Sequence, residues 1–432
     1  MNDKNKFSVA ELIKNNIIEK PYDGNHGAIH PKGDDFIDSG IPFIMASDVE
    51  NGRVDLKNCK FISKKQADSL RKGFAVEGDV LLTHKASIGR TAVVPHIDFP
   101  YIMLTPQVTY YRIKNKKVLN NLYLKYYFDS RPFQEVLGAM AGAGSTRAYL
   151  GIVGQQDLPI EFPDISTQQK IAAVLSALDA KIELNQRINA ELESMAKTLY
   201  DYWFVQFEFP NEKGKPYKSA GGKMVWNEEL KRDVPAGWEK GVLLDIGTIT
   251  GGSTPSREVE EYFNVNGMAW ITPKDLSLNT GNKFITKGET GVSEKGLKSA
   301  SLNIMPKGTI LLSSRAPIGY MAISREEVTT NQGFKSFVPD KGYSIPYIYY
   351  TVKNAIPTII NHSSGSTFKE ISSSVLKEIS ICLPPVSVTE NFGKTVNAIF
   401  ERQNILELES QTLTEVRDWL LSMLMNGQVK VS

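Results

Sequence analysis

Two stretches of the chain carry apolar residues at alternating intervals of four and three. In the first the series is Ile171, Leu175, Leu178, Ile182, Asn185, Asn189, Leu192, Ala196, Leu199 and Trp203. Moved along by 221 residues it becomes Phe392, Val396, Ile399, Gln403, Leu406, Ser410, Leu413, Arg417, Leu420 and Leu424. A repeat of about 3.5 residues is the seam of a coiled coil, so the spacing predicts two long helices pairing along their apolar edges. The polar interruptions cost stability but can fix register. Pro163 and Pro384 precede the two series, and Ser166 and Ser387 are the expected N-caps. Helices of this length would extend ~50 Å. The blander alternative is a pair of amphipathic surface helices.

Outside these series the pattern changes to short β-type runs, "DVLLTHK", "TAVV", "QVTYYRI", "TILLSSR" and "KSFV", mixed with helical stretches such as "NNLYLKYYFDS" and "IPYIYYTVKNA". A mixed α+β composition follows for both halves. The halves also echo one another: "GIPFIMASDV" with "GMAWITPKDL", "GDVLLTHKASIGRTAVV" with "GTILLSSRAPIGYMAI", "GAGSTRAYL" with "SSGSTFKEI", and "IEFPDIS" with "ICLPPVS". The order is kept and the offsets stay between 221 and 230. The reading is one domain-plus-helix unit written twice. Between them, "PNEKGKPYKSAGGKMVWNEELKRDVPAGW" is rich in Gly, Pro and Lys and reads as a linker. The expected plan is a mixed domain over 1–160, a helical region over 161–206, a linker over 207–237, a second domain over 238–381 and a helical region over 382–432.

Composition narrows the function only by subtraction. With 432 residues and a net charge of +2, nucleic-acid binding would need local basic patches rather than bulk attraction. Such runs exist at Lys57, Lys60, Lys64, Lys65, Arg71 and Lys72, and at Arg112, Lys114, Lys116 and Lys117. Cys59 and Cys382 match no metal or redox spacing, and a reducing, cytoplasmic setting without membrane association is expected. The N-terminal "MNDKNKFSVAELIKNN" lacks a basic-then-apolar signal.

No catalytic constellation holds together in the sequence. Pro163-Asp164 with Asp179-Ala180-Lys181 imitates a nuclease motif, but Asp179 and Lys181 fall on the first helix and read as a solvated face. Pro384-Pro385 is followed by Val386, not by the aromatic of an adenine methyltransferase. His26 and His30 have metal-ligand spacing without an intervening Glu. Gly393-Lys394-Thr395 has Val388 where a P-loop needs glycine. No metal site is expected. The remaining chemistry is that of polar loops. The "LLTHKASIGRTAVV" turn would display Lys85 and Arg90, and its twin Ser314 and Arg315. The small-residue loops would offer Ser145, Thr146 and Arg147, then Thr367 and Lys369, with Lys274 nearby in the second half. Cations and hydroxyls on rigid loops suit phosphate positioning or base reading; the blander reading is a solvated cation at each turn.

The duplicated plan, the helix "LPIEFPDISTQQKIAAVLSALDAKIELNQRINAELESMAKTLYDYWF", and "FEFPNEKGKPYKSAGGKMVWNEELKRDVPAGWE" resemble the specificity subunits of bacterial Type I restriction-modification systems. The resemblance runs through nearly the whole chain and is most specific over 158–256. It implies two target recognition domains in tandem, each reading half of a bipartite double-stranded DNA site and separated by two conserved helical regions; if the chain returns on itself, these two long helices pair as an antiparallel coiled coil. It further implies two methyltransferase subunits as partners, carrying the S-adenosylmethionine chemistry that this chain lacks, and restriction subunits that join them. Alternatives are a single-chain methyltransferase or nuclease with a divergent site, and a coiled-coil adaptor that reads no DNA. One departure stands out. The second domain opens with "VPAGWEKGVLLDIG", whereas the first opens with "FSVAELIKNNIIEKPYDGNHG" and has no corresponding Trp, so the two domains are expected to read different half-sites.

Overall fold

A computed structural model describes residues 5–142, 148–315, 317–363 and 370–431. It resolves into two compact units, one of residues 1–182 with 412–432 and one of 183–411.

In the first unit the apolar run at Val80–Thr83 lies at the centre of a four-stranded antiparallel sheet, ordered Thr91–Val93, Val80–Thr83, Val108–Tyr111, Tyr22–Asp23. Its side chains alternate between two cores. Val80 and Leu82 join Tyr111, Phe128 and Phe162, while Leu81 joins Ala92, Val108 and Tyr110. A strand buried on both faces reads as a continuous apolar run rather than an alternating one, which explains "DVLL". A second, five-stranded sheet contains Ile41–Ile44 running parallel to Ile102–Leu104. Helices Asn121–Asp129 and Arg131–Met140 follow, broken at Ser130.

The second unit repeats this plan. Ile310–Leu312 lies between Lys335–Val338 and Met321–Ser324, again antiparallel. Ile310 and Leu312 face one core with Phe337, while Leu311 faces another with Ala322 and Phe334. The counterpart of the parallel pair is Phe263–Ile271 beside Thr329–Thr330. The two helices of the first unit correspond to one, Ile345–Asn361, which continues through Pro357.

The dissimilar openings of the two domains are the same structure. Asn5–Ser8 pairs antiparallel with Pro159–Phe162, and Glu239–Val242 with Ser380–Leu383. Glu11 then accepts from the Ser8 N–H at 2.7 Å, as Asp245 does from the Val242 N–H at 2.8 Å. The next amides, Val9 and Leu243, donate to the carbonyls of Leu158 and Ile379 at 3.1 and 3.0 Å. Backbone pairing is indifferent to side chains, so the missing Trp changes nothing in the path of the chain.

The helices span Ile165–Tyr200 and Val386–Met425. In the first unit Ile171 and Leu175 share a core with Leu424 and Met425, and Arg417 bonds Asp179 at 3.0 Å. In the second unit Ala196 and Tyr200 share a core with Phe392 and Val396, and Asn185 donates to Glu409 at 2.8 Å. Rising numbers on one helix meet falling numbers on the other, so within each unit the pairing is antiparallel. None of the predicted seam residues, Ile171, Leu175, Leu178, Ile182, Leu192, Leu199, Phe392, Val396, Ile399, Leu406, Leu413 and Leu420, is exposed. Burying a fully covered one, such as Leu175 or Phe392, contributes roughly 1.5–3 kcal/mol, and the half-buried ones contribute less.

Three expectations are corrected. Ser166 and Ser387 are not N-caps; both lie inside the first helical turn. Asp164 caps the first helix, accepting from the Thr167 N–H at 3.0 Å and its hydroxyl at 2.7 Å. Asp179 is not on a solvated face, since Tyr126 and Arg417 bond it at 2.7 and 3.0 Å. The stretch 207–237 is not a linker but folded. Met224–Asn227 and Arg232–Pro235 form a hairpin, and Phe207, Phe209 and Val234 are buried with Trp238. Phe209 stacks on Tyr217 and Trp238 with ring centroids 4.6 and 5.2 Å apart. Aromatic residues at irregular intervals carry no period, so a polar, glycine-rich composition hid a packed element.

Candidate nucleic-acid interface

The two echoed turns are built from the same hydrogen bonds. Thr83 sits at the end of its strand; its hydroxyl accepts from the Arg90 N–H at 2.9 Å and donates to the Ser87 carbonyl. Ser313 does the same, accepting from the Tyr320 N–H at 2.8 Å and donating to the Pro317 carbonyl at 2.8 Å. Backbone bonds match too: Thr83 with Arg90 and Gly89, Ser313 with Tyr320 and Gly319. Gly89 and Gly319 have φ of +90° and +105°, the conformation glycine adopts without a Cβ penalty. A Cβ at either would also press on a neighbour, Gln134 in one domain and Ile356 in the other. The Ile-Gly pair was legible in the sequence. The hydroxyl that closes the loop five or six residues earlier was not.

Immediately after that hydroxyl residue the chain turns inward, then outward. His84 and Ser314 are fully buried, and His84 Nε2 and Ser314 Oγ find no hydrogen-bond partner among the described residues. His84 Nδ1 faces the Leu150 carbonyl at 3.0 Å, and burial holds its imidazole down at about 4, neutral at pH 7. The next residues, Lys85 and Arg315, bridge to Tyr149 and Glu370. Lys85 Nζ lies 5.8 Å from the Tyr149 ring centroid, and Arg315 Nη1 lies 3.9 Å from Glu370 Oε2. The pairs are equivalent in position and different in chemistry.

The candidate readers therefore divide. Lys85 is exposed, Arg315 is partly so, and each stands at the rim of its turn. Arg90 is half-buried, with Nη1 3.5 Å from the Ala46 carbonyl. Lys274 is exposed and paired with Glu289 at 2.5 Å, which raises its pKa through the hydrogen bond and the charge. Ser314 is a correction: a hydroxyl with no exposed surface cannot meet a base edge in this conformation. Ser145, Thr146, Arg147, Thr367 and Lys369 lie outside the described residues. Tyr149 and Glu370 were missed in the sequence, where a lone aromatic or acid beside a Gly-Ser-Thr loop carries no signal of its own.

The basic runs are partly structural. Arg112 is bidentate to the buried Asp79 at 2.9 and 2.8 Å and also donates to the Phe74 carbonyl, which fixes it inside the fold. Lys72 pairs with the buried Asp23, and Lys64 with Asp68 at 2.5 Å. His26 faces Asp23 at 3.0 Å, whereas His30 faces the Asn25 carbonyl at 3.1 Å, so the two do not converge. Among the described residues no group of His, Cys, Asp or Glu could hold a metal ion, and no helix is long and apolar enough to cross a membrane.

Comparison with known proteins bears on the same features. The family model for the Type I restriction modification DNA specificity domain matches twice, over residues 9–194 and 235–416. The chain is 39% identical over 212 residues to the Type I restriction enzyme MjaIX specificity subunit of Methanocaldococcus jannaschii, a match spanning 46% of this chain and about half (48%) of that relative. It is 25% identical over 484 aligned residues to the HindI specificity subunit of Haemophilus influenzae, covering 99% of this chain and 100% of the other. Among solved structures, the S subunit of a Type I system from M. genitalium superposes with a TM-score of 0.57 at 15% identity, over 98% of this chain and 96% of that one. At that identity the likeness is one of fold.

Proposed function

From the premise that this chain belongs to the Type I restriction-modification DNA-specificity family, we propose that each of its two recognition domains reads one half of a bipartite DNA site. Family membership makes it a non-catalytic DNA-recognition subunit with two tandem recognition domains. The single observation that carries the reading of half-sites is the repetition of one turn, bond for bond, with a cation at its rim each time. A fixed platform with interchangeable rim residues is what base reading requires, because position must be constant while chemistry varies. Lys85, Arg90, Lys274 and Arg315 are the proposed contacts among the described residues, joined by Ser145, Thr146, Arg147, Thr367 and Lys369.

Specificity subunits of Type I systems assemble with methyltransferase and restriction subunits. For this chain two methyltransferase subunits are proposed, one for each copy of the repeat, and they supply S-adenosylmethionine and the methyl transfer. The long helices support this, since Met195, Ile405 and Trp419 keep large apolar side chains exposed at 55%, 54% and 55%. The test is to assemble the chain with its methyltransferase partner and sequence the methylated DNA. A two-part motif is expected. Methyl transfer by the chain alone, or a motif with one uninterrupted part, would overturn the reading.

A further inference from the structure

We infer that the residue pair across the mouth of each turn, Lys85 with Tyr149 and Arg315 with Glu370, is a specificity-determining contact, and that the two domains use it for different bases. The inference rests on the DNA-reading function proposed above and deepens it.

Three observations carry it. First, the scaffold beneath the pairs is constant: the same hydroxyl closure, the same positive-φ glycine, the same isolated bridge. Only the rim residues change. Second, both pairs are available to a ligand. Tyr149 is 47% exposed, an unusual presentation for a ring held above a buried imidazole 5.6 Å away. Arg315 and Glu370 have side chains 37% and 44% exposed and meet at only 3.9 Å, a loose pair that leaves donors and acceptors unspent among the described residues. Third, the charge pattern argues against a backbone role in the second domain. A carboxylate beside the guanidinium repels a phosphate, so Arg315 with Glu370 suits base edges better than the DNA backbone.

The chemistry then differs by domain. Arg315 offers a fork for guanine O6 and N7, and Glu370 accepts from a cytosine N4 amino group, so the second domain reads G·C pairs at this point. Lys85 offers a point donor to a purine acceptor, and the face or edge of Tyr149 packs an apolar group such as the thymine methyl. The first domain therefore tolerates A·T at the corresponding point.

Glu370→Gln and Tyr149→Ser, made in the full chain and assembled with its methyltransferase partners, test this by methylated-motif sequencing and by binding to duplexes altered at single positions. Glu370→Gln is expected to lower discrimination about ten-fold at one G·C position of one half-site, leaving the other half-site unchanged. Tyr149→Ser is expected to relax one position of the opposite half-site. Unchanged motifs and affinities would overturn the inference while leaving the bipartite reading intact. So would a uniform loss of affinity over all sequences, or a fall in the unfolding midpoint without a change of motif, since these mark phosphate or structural roles. A wild-type assembly that yields no bipartite motif would instead sink the parent function, and this inference with it.

Discussion

The helix pair is held differently in the two units. In the first, Asp179 and Arg417 meet at 3.0 Å with side chains 25% and 29% exposed, at the margin of an apolar seam, and the buried Tyr126 and Lys125 reach Asp179 from behind at 2.7 and 3.6 Å. In the second, charge is taken to the centre. Lys283 is 4% exposed and its ammonium bonds Glu193 at 2.7 Å, Gln403 at 2.6 Å and Tyr350 at 3.1 Å, with the Phe400 ring centroid 3.6 Å away. Beside it, buried Glu407 accepts from the amides of Lys283 and Phe284 at 2.7 and 3.0 Å, from Asn189 at 3.2 Å and from Arg325 at 2.8 Å. A charge at the rim can be lost and replaced by water. A charge with every lone pair assigned cannot, so the second arrangement fixes its partners while the first tolerates change.

The sharpest way to break the comparison is Glu407→Ala. It leaves two backbone donors and the Asn189 amide buried without their acceptor and strips the Arg325 guanidinium of its only carboxylate among the described residues, though Asn404 and Thr286 still accept from it, and about 3–5 kcal/mol of stability is expected to go, read as a lower urea midpoint. Acid comes next. Burial alone would raise the Glu193 carboxyl, but Lys283 and Lys353 more than reverse that and hold it at about 2, below its ordinary 4.5. The unfolded chain thus takes up that proton first as pH drops. The stabilisation is complete above about 4.5 and disappears as pH falls toward 2, on the order of a few kcal/mol. Glu193→Gln is expected to flatten the wild-type slope across that window in denaturation measured at successive pH values; an equal slope in both proteins would break the assignment. Thr83→Val and Ser313→Ala each remove a closing hydroxyl and are expected to cost about 1–2 kcal/mol apiece, nearly equal in a thermal melt. Arg417→Ala should be mildest, near 1 kcal/mol, because Asp179 keeps Tyr126 and Lys125.

How far the sequence could reveal this depends on the range of each interaction. The seam was legible because its signal is local and periodic, and even Asn189 and Gln403 announced themselves as polar interruptions of it. Their partners were not legible. Lys283 belongs to a loop 94 residues beyond Asn189 and Glu407 to a helix 124 residues beyond Lys283, as the bond separating them shows, and no spacing rule spans such gaps. The turns were found through their apolar flanks and glycines, while Thr83 and Ser313 looked like ordinary polar residues after a strand. The candidate readers were chosen as cations or hydroxyls on loops, which selected Lys85 and Arg315 but also Ser314, whose burial only packing decides. The folded stretch around Phe209 and Trp238 was hidden for the same reason, since stacking of rings needs proximity in space and no regular interval along the chain.

The strand pairs that open and close each domain have a consequence for how such proteins can be rearranged. Asn5–Ser8 lies against Pro159–Phe162, and Glu239–Val242 against Ser380–Leu383, so each domain leaves the chain and returns to it through one backbone-bonded gate. The gate recognises no particular side chain: Phe7 faces Ile160 in one copy where Gly241 faces Ile381 in the other. Whatever lies between its two strands is a cassette. Recombination or grafting at these four strands could exchange a whole reading module wherever the incoming module keeps the side chains that hold the helices, as Tyr126 holds Asp179 and Lys283 holds Glu193, and new sequence preferences would then arise by shuffling, not by slow revision of one surface.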